Sequence, residues 1–279
     1  YAAAQTIRTA AEQASGAAAL FLALFTLQGD TVPSFVGLVG FLAPLLGIAF
    51  GFDAINGERA QGTLARLLSH PIYRDDLING KFVAGLAAIA LAVVATMLVV
   101  SGIGIVRLGI VPTVPEVARL AVWVVVTIVY IGLWLAIAML CSVLVRRAAT
   151  SALIALGLWL GLSLFGVMLA RIIAGFFGAD PTTGIEAAFD QARLQQMLSV
   201  INPGTVYTQA TLGLLNPGST AVSIPTLGQA IQLQQQIPTQ LSIDQSLLII
   251  WPQVVGLLAA MVICFAGSYL VFLRQEVRA

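Results

Sequence analysis

Charge is what this sequence has least of. Of its 279 residues, 13 are Lys or Arg and 12 are Asp or Glu, so only 9% of the chain is charged. A water-soluble domain carries about 25%, and a globule of this size with so few charges could not cover its own surface. The shortage excludes a soluble fold and leaves the bilayer as solvent. There every backbone polar group must be satisfied within the protein, so only helical bundles and closed barrels can span it. The net charge is +1, with no concentrated basic face of the kind a nucleic-acid partner requires.

Other absences narrow the chemistry. The two cysteines, Cys141 and Cys264, lie inside apolar runs and read as small packing residues. Together with Met97, Met139, Met168 and Met261 they show no metal-ligand spacing. The single histidine, His70, reads as a solvated loop residue, and neither H-E-x-x-H nor G-x-S-x-G occurs. Ser163 sits in an apolar run, where a serine usually bonds a backbone carbonyl. A membrane-embedded enzyme is therefore the weakest reading. No phosphate-cradling G-x-x-x-x-G-K-[ST] is present either, since Gly80-Lys81 is followed by Phe82 and lacks the earlier glycine. Energy for any work must come from a partner or from an ion gradient. A gradient-driven transporter keeps ionisable groups in mid-membrane, and the apolar runs have none in their central portions. A secondary transporter or channel is the runner-up, because a carbonyl-lined sodium site needs no such group.

What the chain has in abundance is unbroken apolar sequence, 59% of it hydrophobic. A spanning helix needs about 20 mostly apolar residues. Five segments qualify, at about 35–52, 82–106, 120–145, 148–170 and 247–273. Continuous apolar runs choose helices over barrel strands, which would alternate. Pro44 predicts a kink in the first. Residues 16–27 form a sixth, shorter run. Either it extends upstream across Arg8 and Glu12, or, in the favoured reading, it lies at the outer surface after a span that precedes Tyr1. The fold class expected is an all-α polytopic membrane protein of six spans, five of them clear here.

Basic residues set the orientation. The connection 53–81 carries Arg59, Arg66, Arg74 and Lys81; the turn between the third and fourth clear spans is Arg146-Arg147; the last residues include Arg274 and Arg278. If the spans alternate, these regions share one side and hold eight of the thirteen basic residues. That side is expected to be the cytoplasm, placing the protein in the cell (inner or plasma) membrane with its C-terminus inside. The stretch 171–246 then forms an extracytoplasmic cap. It contains five prolines, a glutamine-rich segment and two Asn-Pro-Gly triplets, at 202–204 and 216–218, which read as turn signals. Between 184 and 201 the pattern suits a helix with Ile185, Phe189 and Ala192 on one face. Trp251 and Pro252 suit an interfacial anchor. Gly85, Ala88, Ala92, Gly102 and Gly104 permit close helix approach.

The connection 53–81 is more specific. Leu64, Leu67 and Leu68 form an apolar stripe on a short helix. Pro71 interrupts it, and Asp75 and Asp76 fall in the first turn of a second helix, where negative charge is favoured. Gly80 and Lys81 mark the start of the next span. A helix lying on lipid headgroups is usually rich in basic residues, whereas four basic residues here face Asp53, Glu58, Asp75 and Asp76. A balanced helix pair suits a protein partner.

In order, Glu58-Arg59, Gly62-Thr63-Leu64, Leu67-Leu68, Pro71, Arg74 and Gly80-Lys81 resemble the cytoplasmic loop of ABC type-2 permeases, and among them the permease of the nitrous-oxide-reductase maturation exporter group. The ending FLRQEVRA, residues 272–279, is similar to that group's. The resemblance implies that 53–81 is a coupling loop, with those eleven residues meeting a separate ABC ATPase subunit. Two ATPase copies would bind ATP and Mg, this chain holding no cofactor itself. A second permease copy or close homologue would complete the route for an exported substrate. Apolar spans without central charges favour a lipophilic or amphipathic cargo.

Overall fold

The structure, a computed structural model of the chain, describes residues 20–26, 34–62, 74–109, 111–177, 185–216 and 242–274. All regular structure among these residues is helical. In chain order the helices are α1 (Leu20–Thr26), α2 (Phe35–Gly51), α3 (Asn56–Ala60), α4 (Arg74–Leu108), α5 (Val114–Leu144), α6 (Ala148–Leu160), α7 (Gly166–Phe177), α8 (Ile185–Ser199), α9 (Pro203–Leu215) and α10 (Ile243–Arg274). A π-helical turn, Gly161–Phe165, joins α6 to α7.

Among the described residues five segments are long and apolar enough to cross a membrane: Phe35–Ala60, Asp75–Arg107, Val114–Leu144, Ala148–Phe165 and Ile243–Arg274. The fold class is therefore the all-α polytopic one expected. At 1.5 Å per residue α4 is about 50 Å long, well beyond the roughly 30 Å of a hydrocarbon core, so its polar ends emerge from the lipid. The connection differs from expectation here. Among the described residues the expected second helix is not separate from the span; α4 begins at Arg74 and runs unbroken past Gly80 and Lys81. An isolated glycine costs a helix only about 1 kcal/mol, too little to divide so long an apolar helix. Asp75 and Asp76 do lie in its first turn. Pro44 and Pro252 lie inside α2 and α10, each giving up one rung of the hydrogen-bond ladder.

The chain divides into two compact units. One takes in Tyr1–Gly40, Gly102–Trp123 and Leu160–Val254. Its core holds an aromatic cluster in which Phe25 lies 5.6 Å from Phe35 and 6.2 Å from Trp123 between ring centroids. α1 packs on α9, and α8 on α7. Several helix starts in this unit are capped by side chains, which satisfy backbone N–H groups that have no partner within the helix. Ser34 Oγ accepts the Gly37 N–H at 3.1 Å ahead of α2. Ser242 and Gln245 form a reciprocal capping box at the start of α10, with bonds of 3.1 and 3.3 Å. Asn202 caps α9, its side chain accepting the Gly204 N–H at 2.9 Å, with Pro203 as the first helical residue. The first Asn-Pro-Gly triplet, expected as a turn, thus opens a helix. The second contributes Asn216, the C-cap of the same helix.

The other unit takes in Phe41–Ser101, Val124–Trp159 and Val255–Ala279. Its core is built on α5, where Ile131, Leu135, Ala136, Met139 and Val143 are buried with Ile55, Ile78, Phe82, Ile89 and Phe272. Two glycines set the spacing of α2 against it. A Cβ at Gly47 would fall 2.5 Å from the Ile131 carbonyl oxygen, and one at Gly51 would fall 2.7 Å from that of Leu135. Gly47 and Gly51 are four residues apart, the small-xxx-small spacing that lets helix backbones touch. On α4, Gly85 receives the Leu135 side chain, a Cβ there lying 3.0 Å from Leu135 Cδ2. The end of α4 belongs to the first unit, where Gly104 is filled by Leu24 of the same unit, whereas a Cβ at Gly102 would meet nothing within 4 Å among the described residues.

Candidate functional site

Of the eleven residues singled out in 53–81, Thr63, Leu64, Leu67, Leu68 and Pro71 lie outside the described residues, as does His70. The other six occupy the two ends of the connection, and the structure brings these ends together.

Leaving α2, the chain turns through 52–55 and enters the five-residue helix α3. Glu58, in that helix, meets Lys81 of α4, with Nζ 3.0 Å from Oε1. Both side chains are about one-quarter exposed, at 26% and 28%. An ion pair so accessible contributes at most about 1 kcal/mol, so its role is registry more than strength. Arg59 turns the other way and donates from Nη1 to the Val143 carbonyl at 3.4 Å. Val143 lies in the last turn of α5, where carbonyls lack helical partners and a cation is favoured. Gly62 ends the turn with φ +68°, and its N–H donates to the Arg59 carbonyl at 3.2 Å. The left-handed conformation explains a glycine at this position. Gly80 has no such requirement, since a Cβ there would meet nothing within 4 Å among the described residues. Arg74 is the first residue of α4.

One residue that the sequence did not single out, Ser142, holds this arrangement. Ser142, on α5 and wholly buried, accepts through Oγ the N–H groups of both Ile55 and Asn56 at 3.1 Å each. It supplies acceptors at the start of α3, where no side-chain cap is present. Nothing in the sequence marks Ser142, because a lone serine in an apolar span ordinarily bonds its own helix. Asn56 is 1% exposed, and among the described residues neither atom of its amide finds a hydrogen-bond partner. A buried unpaired amide costs about 1–3 kcal/mol, which the surrounding contacts must offset.

These contacts are mechanical in kind. They fasten the beginning of the connection to the end of α5 and, through Lys81, to α4. The first unit holds a second polar knot. Glu116, 4% exposed, accepts the Phe21 N–H of α1 through one oxygen at 2.9 Å and the Thr113 N–H through the other at 2.8 Å. One turn later Arg119, also 4% exposed, donates at 2.8 Å both to the Leu214 carbonyl ending α9 and to Ser246 Oγ on α10. The sequence did carry a signal for Glu116: Thr113-x-x-Glu116 ahead of an apolar run has capping-box spacing.

Relatives of the chain are permeases. It is 40% identical over 102 residues, 37% of its length and 35% of the relative's, to the probable ABC transporter permease protein NosY of Pseudomonas aeruginosa. It is 29% identical over 219 residues, 76% of its length and 74% of the relative's, to the probable ABC transporter permease protein NosY of Stutzerimonas stutzeri. The sequence model of the ABC-2 family transporter proteins matches residues 2–277. Five membrane-length helices and a family match running almost end to end make this multi-pass chain a member of the ABC-2 transporter family and a transport permease.

Proposed function

We propose that the chain is the membrane-spanning subunit of an ATP-driven exporter, in which a separate ABC ATPase subunit moves the connection 53–81. The observation that carries this reading is the fastening of that connection to α5 through Ser142 and Arg59. A loop held this way passes a push into the bundle instead of absorbing it, and packed helices answer a push by switching between discrete arrangements. The balanced charge of the loop supports a protein partner over lipid headgroups. Two ATPase subunits carrying Mg and ATP, and two permease copies or a permease with a close homologue, complete the proposed assembly. Eight of the thirteen basic residues share one side of the alternating spans, which supports a cytoplasmic loop and C-terminus in the cell membrane.

Co-purification tests this directly. An ATPase subunit should remain bound to the chain extracted from its native membrane. In that complex Glu58→Lys and Leu67→Asp should insert normally, while ATP hydrolysis loses its dependence on transported compounds. Recovery without any nucleotide-binding subunit, or wild-type coupling in both variants, would overturn the proposal.

A further inference from the structure

We infer that Ser142 is a positioning residue for coupling, the point at which movement of the 53–81 connection enters the bundle. The inference rests on the coupling role proposed above.

Beside the burial of Ile55 in the core, three polar attachments among the described residues tie the start of the connection to the rest of its unit. The Glu58–Lys81 pair joins two flexible, partly exposed side chains, which can swing while remaining paired. Arg59 reaches the Val143 carbonyl at 3.4 Å, the long end of hydrogen bonding, on an equally flexible stem. Ser142 differs in kind. Its Oγ sits one rotatable bond from the α5 backbone and takes two backbone N–H groups, not side chains, in a fully buried position. Backbone is thus held to backbone with a single short side chain between. Displacement of Ile55 or Asn56 must carry the last turn of α5 with it or break both bonds.

α5 is also the helix best placed to pass such a movement on. Of its most apolar stretch 72% is buried, against 28% or less for the other four membrane-length segments. Within the same unit it touches α2 at Gly47 and Gly51, α4 at Gly85 and α10 where Met261 lies against Gly132. The amide of Asn56, beside the Ser142 bonds, has no hydrogen-bond partner among the described residues, and a pivot about the Ser142 hydroxyl that gave it one would relieve that cost.

Cys141, buried on α5 immediately before Ser142, provides a reporter. The experiment uses the complex purified with its ATPase, carrying Cys264→Ser so that Cys141 is the one cysteine left in this sequence, and label is read on the permease chain after it is separated from the ATPase. Alkylation of Cys141 by N-ethylmaleimide is timed with and without ATP plus vanadate. With Ser142 intact, nucleotide should change the rate by about fivefold or more, the lower end of coupling between distant sites. Ser142→Ala should abolish that change with the ATPase still bound, and Ser142→Thr, which keeps the hydroxyl, should restore it. A nucleotide effect surviving in Ser142→Ala, or lost in Ser142→Thr, overturns the inference. So does a Ser142→Ala chain that no longer holds the ATPase, because the hydroxyl would then be building the docking surface. Absence of the ATPase from the wild-type complex instead sinks the coupling proposal itself.

Discussion

Gly47 of α2 comes so close to Ile131 of α5 that a methyl group on it would lie 2.5 Å from the Ile131 carbonyl oxygen. Backbone cannot yield as the end of a flexible side chain can. Gly47→Ala should therefore lower stability by about 1–3 kcal/mol, the range for overpacking a filled site. Gly102→Ala on α4 is the control. A methyl there meets nothing within 4 Å among the described residues, and replacing a helical glycine by alanine gains about 0.5–1 kcal/mol. Thermal unfolding of the two variants in detergent should move in opposite directions. Equal shifts would mean that glycine content, and not the approach of α2 to α5, governs stability here.

This contact also marks how far the sequence could be read. Spans announce themselves because bilayer burial demands long apolar runs, and the helices lie where those runs predict them. Which faces meet is harder. Gly47 and Gly51 carry a spacing that signals close approach, yet the chain holds 26 glycines, and small residues on α4 offered an equally plausible seam. Of those, Gly85 and Gly104 are filled by neighbours while Gly102 is not. Composition cannot separate them, since the difference depends on which helix lies opposite. The six described residues of the candidate site were singled out by the resemblance of their loop to that of ABC type-2 permeases, and which of them meet, as Glu58 meets Lys81, no motif records. Ser142 was not legible at all. Its hydroxyl serves Ile55 and Asn56, 87 and 86 residues earlier in the chain, a relationship that no local pattern records.

Glu116 joins two helix starts with one carboxylate, receiving the N–H groups of Phe21 and Thr113 on different oxygens. In Glu116→Ala both donors lose their acceptor; the buried Phe21 N–H then costs about 1–3 kcal/mol, whereas the N–H of the exposed Thr113 can turn to water at smaller cost. Glu116→Gln keeps one carbonyl oxygen and can serve only one of the two helices. Stability should fall in the order wild type, Gln, Ala. Trp123 stands in the ring cluster with Phe25 of α1, so release of α1 should also change tryptophan emission in the Ala variant. Equal stability for Gln and Ala would show that the second oxygen contributes nothing.

Asn202 performs two tasks that a substitution series can separate. Its Oδ1 accepts the Gly204 N–H and caps α9. Its Nδ2 donates at 2.8 Å to the Leu162 carbonyl within the π-helical turn, an oxygen that also accepts the Gly166 N–H. Asn202→Asp retains the cap but sets a carboxylate oxygen against a carbonyl oxygen. Asn202→Ala loses both bonds without that repulsion, and the lost cap alone costs about 1 kcal/mol. If the bond to Leu162 holds the π turn, Asp should be at least as destabilised as Ala, and hydrogen exchange at the Gly166 amide should quicken in both. Gly166→Ala reaches the same end from the other side, because a Cβ there would lie 2.7 Å from Asn202 Nδ2 and push the amide away. An Asp variant as stable as wild type, with unchanged exchange at Gly166, would assign the whole role of Asn202 to the cap.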